Sequence, residues 1–423
     1  MKYTKLSKDA YNLHFIYTNR FKKTRIKINF KEKLDEEKIV YRNMLSLVLM
    51  EATKKFNSRR LLEIECENLY DIDVGSGTNI LGNYNILSFY TAFINEKYTE
   101  PKMTEKSLEF FLDFIFNPDI KDNKFNEDTF NVAKNKLHID IEKFGDNPGR
   151  LADYNFRKLV APDTPASIKA VGELKDLDSV TRSNLYEYYK YLINNDLIDI
   201  FVIGNINVLK LEKLLDKYFK NKSIKENSSH ILVHKDKTAL VTKKDTKSIN
   251  QSILYMGGKV FDLTDFERWY VLPIYNEILG GGPASKLFSE VREKNSLCYY
   301  ATSYFMGVSS IEVITSSIDS KNYDKVVELI NIEIDKMKKG DFTLEDIKKA
   351  IISNTAFLEE MEDSPDSIMR MYQNYEYLHL DLKDRRIKLF NKVTKEDIVR
   401  VASKIEIDTI YLLEGSKRDE KND

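Results

Sequence analysis

The stretch FNED at Phe125–Asp128 begins a long apolar-periodic run that ends at DNP, Asp146–Pro148, and FTLE at Phe342–Glu345 begins another that ends at DSP, Asp363–Pro365. From Phe125 to Pro148 and from Phe342 to Pro365 the spacing is the same 23 residues. The second half of the chain therefore repeats a landmark of the first half, about 210 residues later, which is the size of an independent domain.

Two further landmarks recur in the same order. Val180-Thr181 precedes a helical stretch and an apolar strand that ends at Gly204, and Val393-Thr394 precedes a similar helix and a strand that ends at Gly415. A repeat of 20 to 50 residues would indicate a solenoid, whereas this longer one predicts two domain-sized copies of one unit. We place the first copy at residues 1–219 and the second at 230–416.

The remaining segments are polar. Residues 220–229 are rich in Lys, Asn and Ser without apolar periodicity and are predicted to be a linker, and residues 417–423 form a polar tail. Each copy begins with strands joined by short connections and continues as a run of helices, which favours an α+β fold with a mostly antiparallel sheet covered by helices. The predicted strands are Leu13–Tyr17, Thr24–Phe30, Asp71–Thr78, Ile86–Phe93, Ile198–Ile203, Thr238–Thr242, Gln251–Met256, Cys298–Phe305, Ser310–Ser316 and Thr409–Leu413.

Composition excludes several classes of function. The 66 Lys and Arg residues balance the 67 Asp and Glu residues, so the sequence carries no electrostatic signature of a nucleic-acid-binding protein. The N-terminus leads into polar residues, and no apolar run approaches the roughly 18 residues that a bilayer requires. We therefore expect a cytoplasmic protein that binds no membrane, with Cys66 and Cys298 as free thiols.

Histidine pairs do not indicate a metal site. His230 and His234 are four residues apart, but the apolar residues between them favour a strand, in which residues four apart lie roughly 13 Å from each other. A shared zinc ion is then out of reach of both. A self-sufficient metalloenzyme would require His14, His138 or His230 to converge on one metal from distant positions.

The segment GGGPASKLFSEVREKNSLCYY at 280–300 contains the residues with most functional promise. Its glycines end one helix, and Pro283 suits the first turn of the next. Arg292 falls near the end of that helix and Tyr299 near the start of a strand, so both can lie above one sheet and donate hydrogen bonds to backbone carbonyls of an extended peptide. Alternatively, Arg292 is a surface residue that closes a helix and Tyr299 is a half-buried aromatic.

This segment resembles the C-terminal signature of the insulinase or pitrilysin family, which includes the mitochondrial processing peptidases, and the resemblance covers essentially the whole chain. It implies two similar halves and substrate binding by Arg292 and Tyr299. The phrases NYNILSF at Asn83–Phe89 and NEKY at Asn95–Tyr98 resemble most the bacterial zinc-less members associated with modification of elongation factor P.

The zinc motif of that family, His-x-x-Glu-His, is missing. Alignment through ATKKF at 52–56 places the motif's ligand and base positions at Asn43, Ser46 and Leu47. Asn is a poor zinc ligand, Ser cannot serve as the carboxylate base, and Leu has no donor atom. The distal Glu of the family falls near Asp140, and one carboxylate cannot hold the metal alone.

The resemblance implies a non-catalytic, substrate-binding subunit of a heteromeric zinc peptidase, inactive alone. Its partner would be a zinc-bearing relative that supplies metal and base, so this chain itself would hold no cofactor. Here Arg292 and Tyr299 would clamp the backbone of a peptide substrate. The alternative is a structural or chaperone-like peptide-binding protein that kept the fold and has no proteolytic role.

Overall fold

The structure, a computed structural model, describes residues 1–220, 230–232, 234 and 239–416. The predicted linker beyond residue 220 and the predicted C-terminal tail lie outside these residues. The strands are β1 Lys2–Ser7, β2 Asn12–Tyr17, β3 Lys23–Lys33, β4 Asp73–Leu81, β5 Tyr84–Ile94, β6 Ile120–Lys121, β7 Lys124–Phe125, β8 Leu197–Gly204, β9 Val241–Lys247, β10 Ser252–Lys259, β11 Cys298–Met306, β12 Ile311–Ile318 and β13 Thr409–Gly415.

The α-helices lie between groups of these strands along the chain. They are α1 Ile39–Val48, α2 Arg59–Asn68, α3 Met103–Phe116, α4 Glu127–Glu142, α5 Pro148–Val160, α6 Leu174–Asp178, α7 Arg182–Asn195, α8 Val208–Tyr218, α9 Leu272–Gly280, α10 Tyr323–Lys338, α11 Leu344–Glu360, α12 Pro365–Leu378, α13 Lys383–Phe390 and α14 Lys395–Lys404. Two π-helical segments, Glu267–Val271 and Phe288–Lys294, flank α9. None of the helices in the described part of the chain is long and apolar enough to span a lipid bilayer.

The chain forms two compact units, each with its own sheet. The first comprises Met1–Lys143, Lys169–Ser229 and Ser364–Gln373, and the second comprises Phe144–Ile168, His230–Asp363 and Asn374–Asp423. The strand order is β1-β2-β8-β3-β5-β4 in the first sheet and β9-β13-β10-β12-β11 in the second.

Apart from β1, the two sheets have one topology. In each, the first strand in sequence pairs in parallel with the last, β2 with β8 and β9 with β13, and the other neighbours are antiparallel. The second strand occupies the centre, and the third lies at the edge. This confirms the predicted α+β fold of two similar units with mostly antiparallel sheets.

Each unit includes a helical segment from the other half of the chain, so the units differ from the sequence-based boundaries at 1–219 and 230–416. Helix α5 follows the DNP landmark and packs in the second unit, where Phe156 stacks on Tyr255 with ring centroids 5.3 Å apart. The first turns of α12 follow the DSP landmark and belong to the first unit, where Asp366 pairs with Arg25 at 3.0 Å. The two landmarks thus mark the points at which the chain leaves one unit for the other.

Inward-facing residues of the sheets alternate along the strands, as period-2 patterning requires. In the first unit, Ile26, Ile28 and Phe30 of β3 are at most 1% exposed and lie in the same core as the buried residues of α1. In the second unit, Leu254 and Met256 of β10 are fully buried and pack in the same core as α9. Helix α9 therefore has the same relation to its sheet as α1 has to the first.

Candidate functional site

Asn43 lies on α1 at the first position where the family resemblance expects a zinc ligand. Asn43 is 9% exposed, and its Nδ2 donates hydrogen bonds to the carbonyl oxygens of Ala170, at 2.9 Å, and Val171, at 3.2 Å. Its Oδ1 accepts a hydrogen bond from Thr78 Oγ1 at 2.5 Å. Both ends of the Asn43 amide are therefore used to hold α1 against β4 and the segment before α6.

The other two motif positions are also structural. Ser46 Oγ donates to the carbonyl oxygen of Asn43 at 2.8 Å, and the Ser46 carbonyl accepts a hydrogen bond from Ser76 Oγ on β4. Leu47 packs on the hydrophobic core of the first unit. These side chains do not fit a zinc ion, because they offer neither imidazole nor carboxylate and their polar atoms are bound within the protein.

The contact between α1 and the edge strand recurs in the second unit. Ser303 Oγ on β11 donates to the carbonyl oxygen of Asn276 on α9 at 3.3 Å, as Ser76 Oγ on β4 does to Ser46. This matching pair of hydrogen bonds identifies Asn276 as the counterpart of Ser46. The second unit thus has an equivalent of the zinc-motif helix.

Arg42 lies on the buried face of α1 and holds the helix in place through hydrogen bonds and ion pairs. Its guanidinium is 0% exposed and donates from Nη1 to the Phe30 carbonyl at 3.0 Å and from Nη2 to Glu32 Oε2 at 3.0 Å. Nη2 also contacts Asp196 Oδ2 at 2.5 Å, and the Tyr188 hydroxyl donates to the same Glu32 oxygen at 2.7 Å. The position of α1, the motif helix that carries the three zinc-motif positions, therefore depends on a buried network of charged side chains.

The histidines lie in separate surroundings. His14 is buried on β2, where its Nδ1 lies 2.8 Å from the Tyr3 hydroxyl and its Nε2 lies 3.3 Å from Asp199 Oδ1. His138 lies on α4 beside Glu142, with 3.3 Å between Nδ1 and Oε2. Asp140, near the position of the family's distal Glu, is exposed on the same helix.

The remaining histidines belong to the second unit. His230 stacks on Tyr377 with ring centroids 5.3 Å apart, and His234 Nε2 donates to the Ser309 carbonyl at 2.6 Å. Residue 233, between them, lies outside the described residues. Over the ranges that the structure describes, no three His, Cys, Asp or Glu side chains are arranged to hold a metal ion.

Arg292 and Tyr299 come together in the second unit. The guanidinium carbon of Arg292 lies 5.6 Å from the centroid of the Tyr299 ring and 4.7 Å from that of Phe288. Both Arg292 and Tyr299 are exposed, with Tyr299 at 70%. A guanidinium over two aromatic faces is a favourable cation–π arrangement, which fixes the direction of an otherwise flexible side chain.

Tyr299 also interrupts the pairing of its strand. Cys298 is opposite Ile318 on β12, and Tyr300 is opposite Ser317, so Tyr299 is the extra residue of a β-bulge. Strand β11 is at the edge of its sheet. Bulges at sheet edges redirect a side chain and are frequent near functional sites. The site thus consists of an exposed Arg–Tyr pair at the bulged end of an edge strand.

A buried polar cluster lies beneath α9 and was missed from the sequence. Glu312 on β12 is 0% exposed, and its Oε2 accepts from Asn276 Nδ2 at 3.1 Å. Glu312 Oε1, Asn276 Oδ1 and the Tyr275 hydroxyl have no hydrogen-bond partner among the described residues. A single carboxylate at an inward-facing position of the apolar run IEVITSSI was the available signal. Burial raises the pKa of the Glu312 carboxyl well above its ordinary value, and the Asn276 hydrogen bond offsets this only in part.

This environment predicts a pH-dependent stability that Glu312→Gln removes. The unfolded chain ionises Glu312 near its ordinary pKa of 4.5, whereas the folded chain keeps the proton to higher pH, so stability falls as pH rises above 4.5. The Gln amide is neutral throughout and can donate to Asn276 Oδ1. We expect the melting temperature of Glu312→Gln, relative to that of the parent at the same pH, to rise by about 2 °C or more between pH 5 and pH 8.

The matched control is Glu360→Gln, at an exposed carboxylate on α11. Its melting temperature should follow that of the parent at every pH. Melting temperatures are measured by differential scanning calorimetry at each pH. If those of Glu312→Gln and the parent change with pH in the same way, Glu312 is ionised in the folded chain.

The chain is similar in sequence and in fold to known proteins. Residues 179–354 match the family described as "Peptidase M16 inactive domain". The chain is 27% identical over 412 residues, 96% of each chain, to the probable inactive metalloprotease YmfF of Bacillus subtilis (strain 168). A conserved protein from Enterococcus faecalis V583 has the same fold, with a TM-score of 0.91 and 24% identity over 99% of this chain and 100% of the other.

A solved structure from Pseudomonas fluorescens, described as a peptidase M16 inactive domain, superposes with a TM-score of 0.79 at 16% identity over 98% of this chain and 99% of the other. Fold and site together define a metallopeptidase-like protein of two similar units whose motif helix carries no zinc ligands. The chain is thus similar over most of its length to proteins of the insulinase, or M16, peptidase family, and the part that matches a family model matches its inactive domain.

Proposed function

We propose that this chain is the non-catalytic, substrate-binding subunit of a heteromeric zinc peptidase. In this proposal a zinc-bearing relative supplies the metal and the base in the same compartment, the cytoplasm. Arg292 and Tyr299 hold the backbone of an extended peptide for it. A hydrogen bond contributes about 1 kcal/mol net from the phenol and about 1.5 to 3 kcal/mol from the charged guanidinium, so their main effect is to position the peptide.

The observation that carries the proposal is the exposed Arg292–Tyr299 pair beside an edge strand, in a chain whose motif helix has lost zinc-binding residues. An edge strand offers unpaired backbone groups to an added peptide strand. Support also comes from the name of YmfF, a probable inactive metalloprotease, and from the description of the matching family as an inactive domain.

We expect the purified chain to bind no stoichiometric zinc and to hydrolyse no peptide, because Asn43, Ser46 and Leu47 cannot supply two ligands and a base. The measurement is elemental analysis combined with a peptide-hydrolysis assay with and without a chelator. A zinc-bearing relative, purified in the same way, is the positive control. One zinc per chain, or chelator-sensitive hydrolysis by the chain alone, would contradict the proposal.

A second function, a peptide-binding structural or chaperone-like role without proteolysis, is favoured by the same absence of zinc ligands. The two are separated by affinity purification of the tagged chain from its native host. The proposal expects a zinc-bearing insulinase-family relative in stoichiometric amount and chelator-sensitive hydrolysis by the purified complex. Recovery of the chain without such a relative would support the second function.

A further inference from the structure

The Arg292 guanidinium carries a charge that the protein does not neutralise. Over the described residues it makes no ion pair and no hydrogen bond, and its contacts are the rings of Phe288 and Tyr299. The neighbouring carboxylate of Glu290 is paired with Lys294, with 2.5 Å between Oε1 and Nζ. The stacked guanidinium therefore presents free donors and a full positive charge to whatever binds beside it.

The register of β11 determines which part of a bound peptide reaches this charge. From Tyr300 to Met306 the strand pairs regularly with β12, and its other side is the edge of the sheet. A peptide strand can therefore pair along this length, but the bulge at Tyr299 interrupts the regular ladder. The pairing thus has a defined end, next to Arg292.

Antiparallel addition places the C-terminal end of the peptide at the bulge, because the chain directions of neighbouring strands are then opposed. Hydrogen bonds between a guanidinium and a carboxylate are about twice as strong as those between neutral groups. Stacking on two rings reduces the conformational freedom that Arg292 loses on binding. A carboxylate at that end of the peptide complements the site better than a neutral carbonyl.

We propose that the Arg292–Tyr299 site selects extended peptides with a carboxylate at their C-terminal end, added antiparallel to β11. The inference rests on the proposed function of this site as a peptide clamp and names its substrate class. The carboxylate is either the α-carboxylate of the last residue or an acidic side chain at that residue, since both present the same group. Tyr299 contributes a ring that orients the guanidinium and a hydroxyl that can donate to the same carboxylate.

The test is the binding of fluorescent peptides to the purified full chain, measured by anisotropy. One β-forming sequence without acidic residues is made as the free C-terminal acid and as the C-terminal amide, and a third version ends in Glu with an amidated terminus. We expect the acid to bind at least about tenfold more tightly than the neutral amide. We also expect 0.5 M salt to reduce this preference, because the site is exposed.

Variants assign the preference to Arg292. Arg292→Gln should bind the acid and the amide equally, and Arg292→Lys should keep part of the preference. The matched control is Arg385→Gln, which removes the same charge from a side chain that is 73% exposed, and it should bind like the parent.

The outcomes distinguish this inference from the proposed function. If the amidated peptide that ends in Glu binds as tightly as the free acid, the site accepts a carboxylate from either source. If only the free acid binds more tightly than the neutral amide, the site selects the α-carboxylate. Equal affinity of the parent for acid and amide, with both weakened by Arg292→Gln, would overturn carboxylate selection and leave the peptide clamp intact. If the parent binds none of the three peptides, the proposed peptide-binding function itself is wrong.

Discussion

Replacing Arg42 by Met is expected to lower the free energy of unfolding by about 3 to 5 kcal/mol, because it leaves Asp196 as a buried carboxylate without its counter-charge. Asp196 is 3% exposed, and Glu32, the other carboxylate bound to Arg42, also loses a partner. The Phe30 carbonyl loses its hydrogen bond from Nη1 as well. Urea or thermal unfolding of the first unit measures the change.

Two companion variants test the cause. Arg59→Met removes an exposed arginine whose pair with Glu63 has both side chains at least 65% exposed, and we expect a change below about 0.5 kcal/mol. The double variant Arg42→Met/Asp196→Leu should recover part of the lost stability, because it removes the unpaired charge. If the single variant is as stable as the parent, the network does not hold α1 in place.

Arg292→Ala is expected to lower peptide hydrolysis by the reconstituted complex with a zinc-bearing partner by about 10- to 100-fold, and Tyr299→Phe by a smaller factor. The reason is that a hydrogen bond from a charged donor contributes about 1.5 to 3 kcal/mol, whereas one from a phenol contributes about 1 kcal/mol. Both side chains are exposed, so folding and assembly should be unaffected.

The measurement is kcat/KM for a peptide, with size-exclusion chromatography of each complex to confirm assembly. Arg385→Ala, at an exposed arginine outside the site, is the control and should cleave at the parent rate. If Arg292→Ala and Tyr299→Phe both assemble and cleave like the parent, Arg292 is a surface residue at a helix end and Tyr299 an exposed aromatic without a role in the clamp.

Much of the fold could be predicted because its signals are local. Alternation of apolar residues predicted β2, β3, β10 and β13 to within a few residues. Strand β1 was missed, because its alternating residues are only partly buried and its strand form depends on pairing with β2. A polar edge strand has no strong pattern of its own.

The candidate site was predictable in part. The spacing of Arg292 and Tyr299 placed them at a helix end and a strand start, which is where the structure has them. The bulge at Tyr299 was not predictable, because it depends on which residues of β12 are opposite β11. The hydrogen-bond partners of Asn43 and Arg42 were also not predictable, because Ala170 and Asp196 are 127 and 154 residues away in sequence.

The sequence by itself determined the two copies, their α+β class and the loss of zinc ligands at Asn43, Ser46 and Leu47, because residue identity and short-range periodicity are sufficient for each. Only the tertiary structure decided that α5 packs in the second unit, that Glu312 is buried without a charged partner and that Arg292 is held by two rings with its charge free. Each of these depends on which distant segments meet. That choice follows from burial and pairing over the whole chain, which a local pattern does not specify.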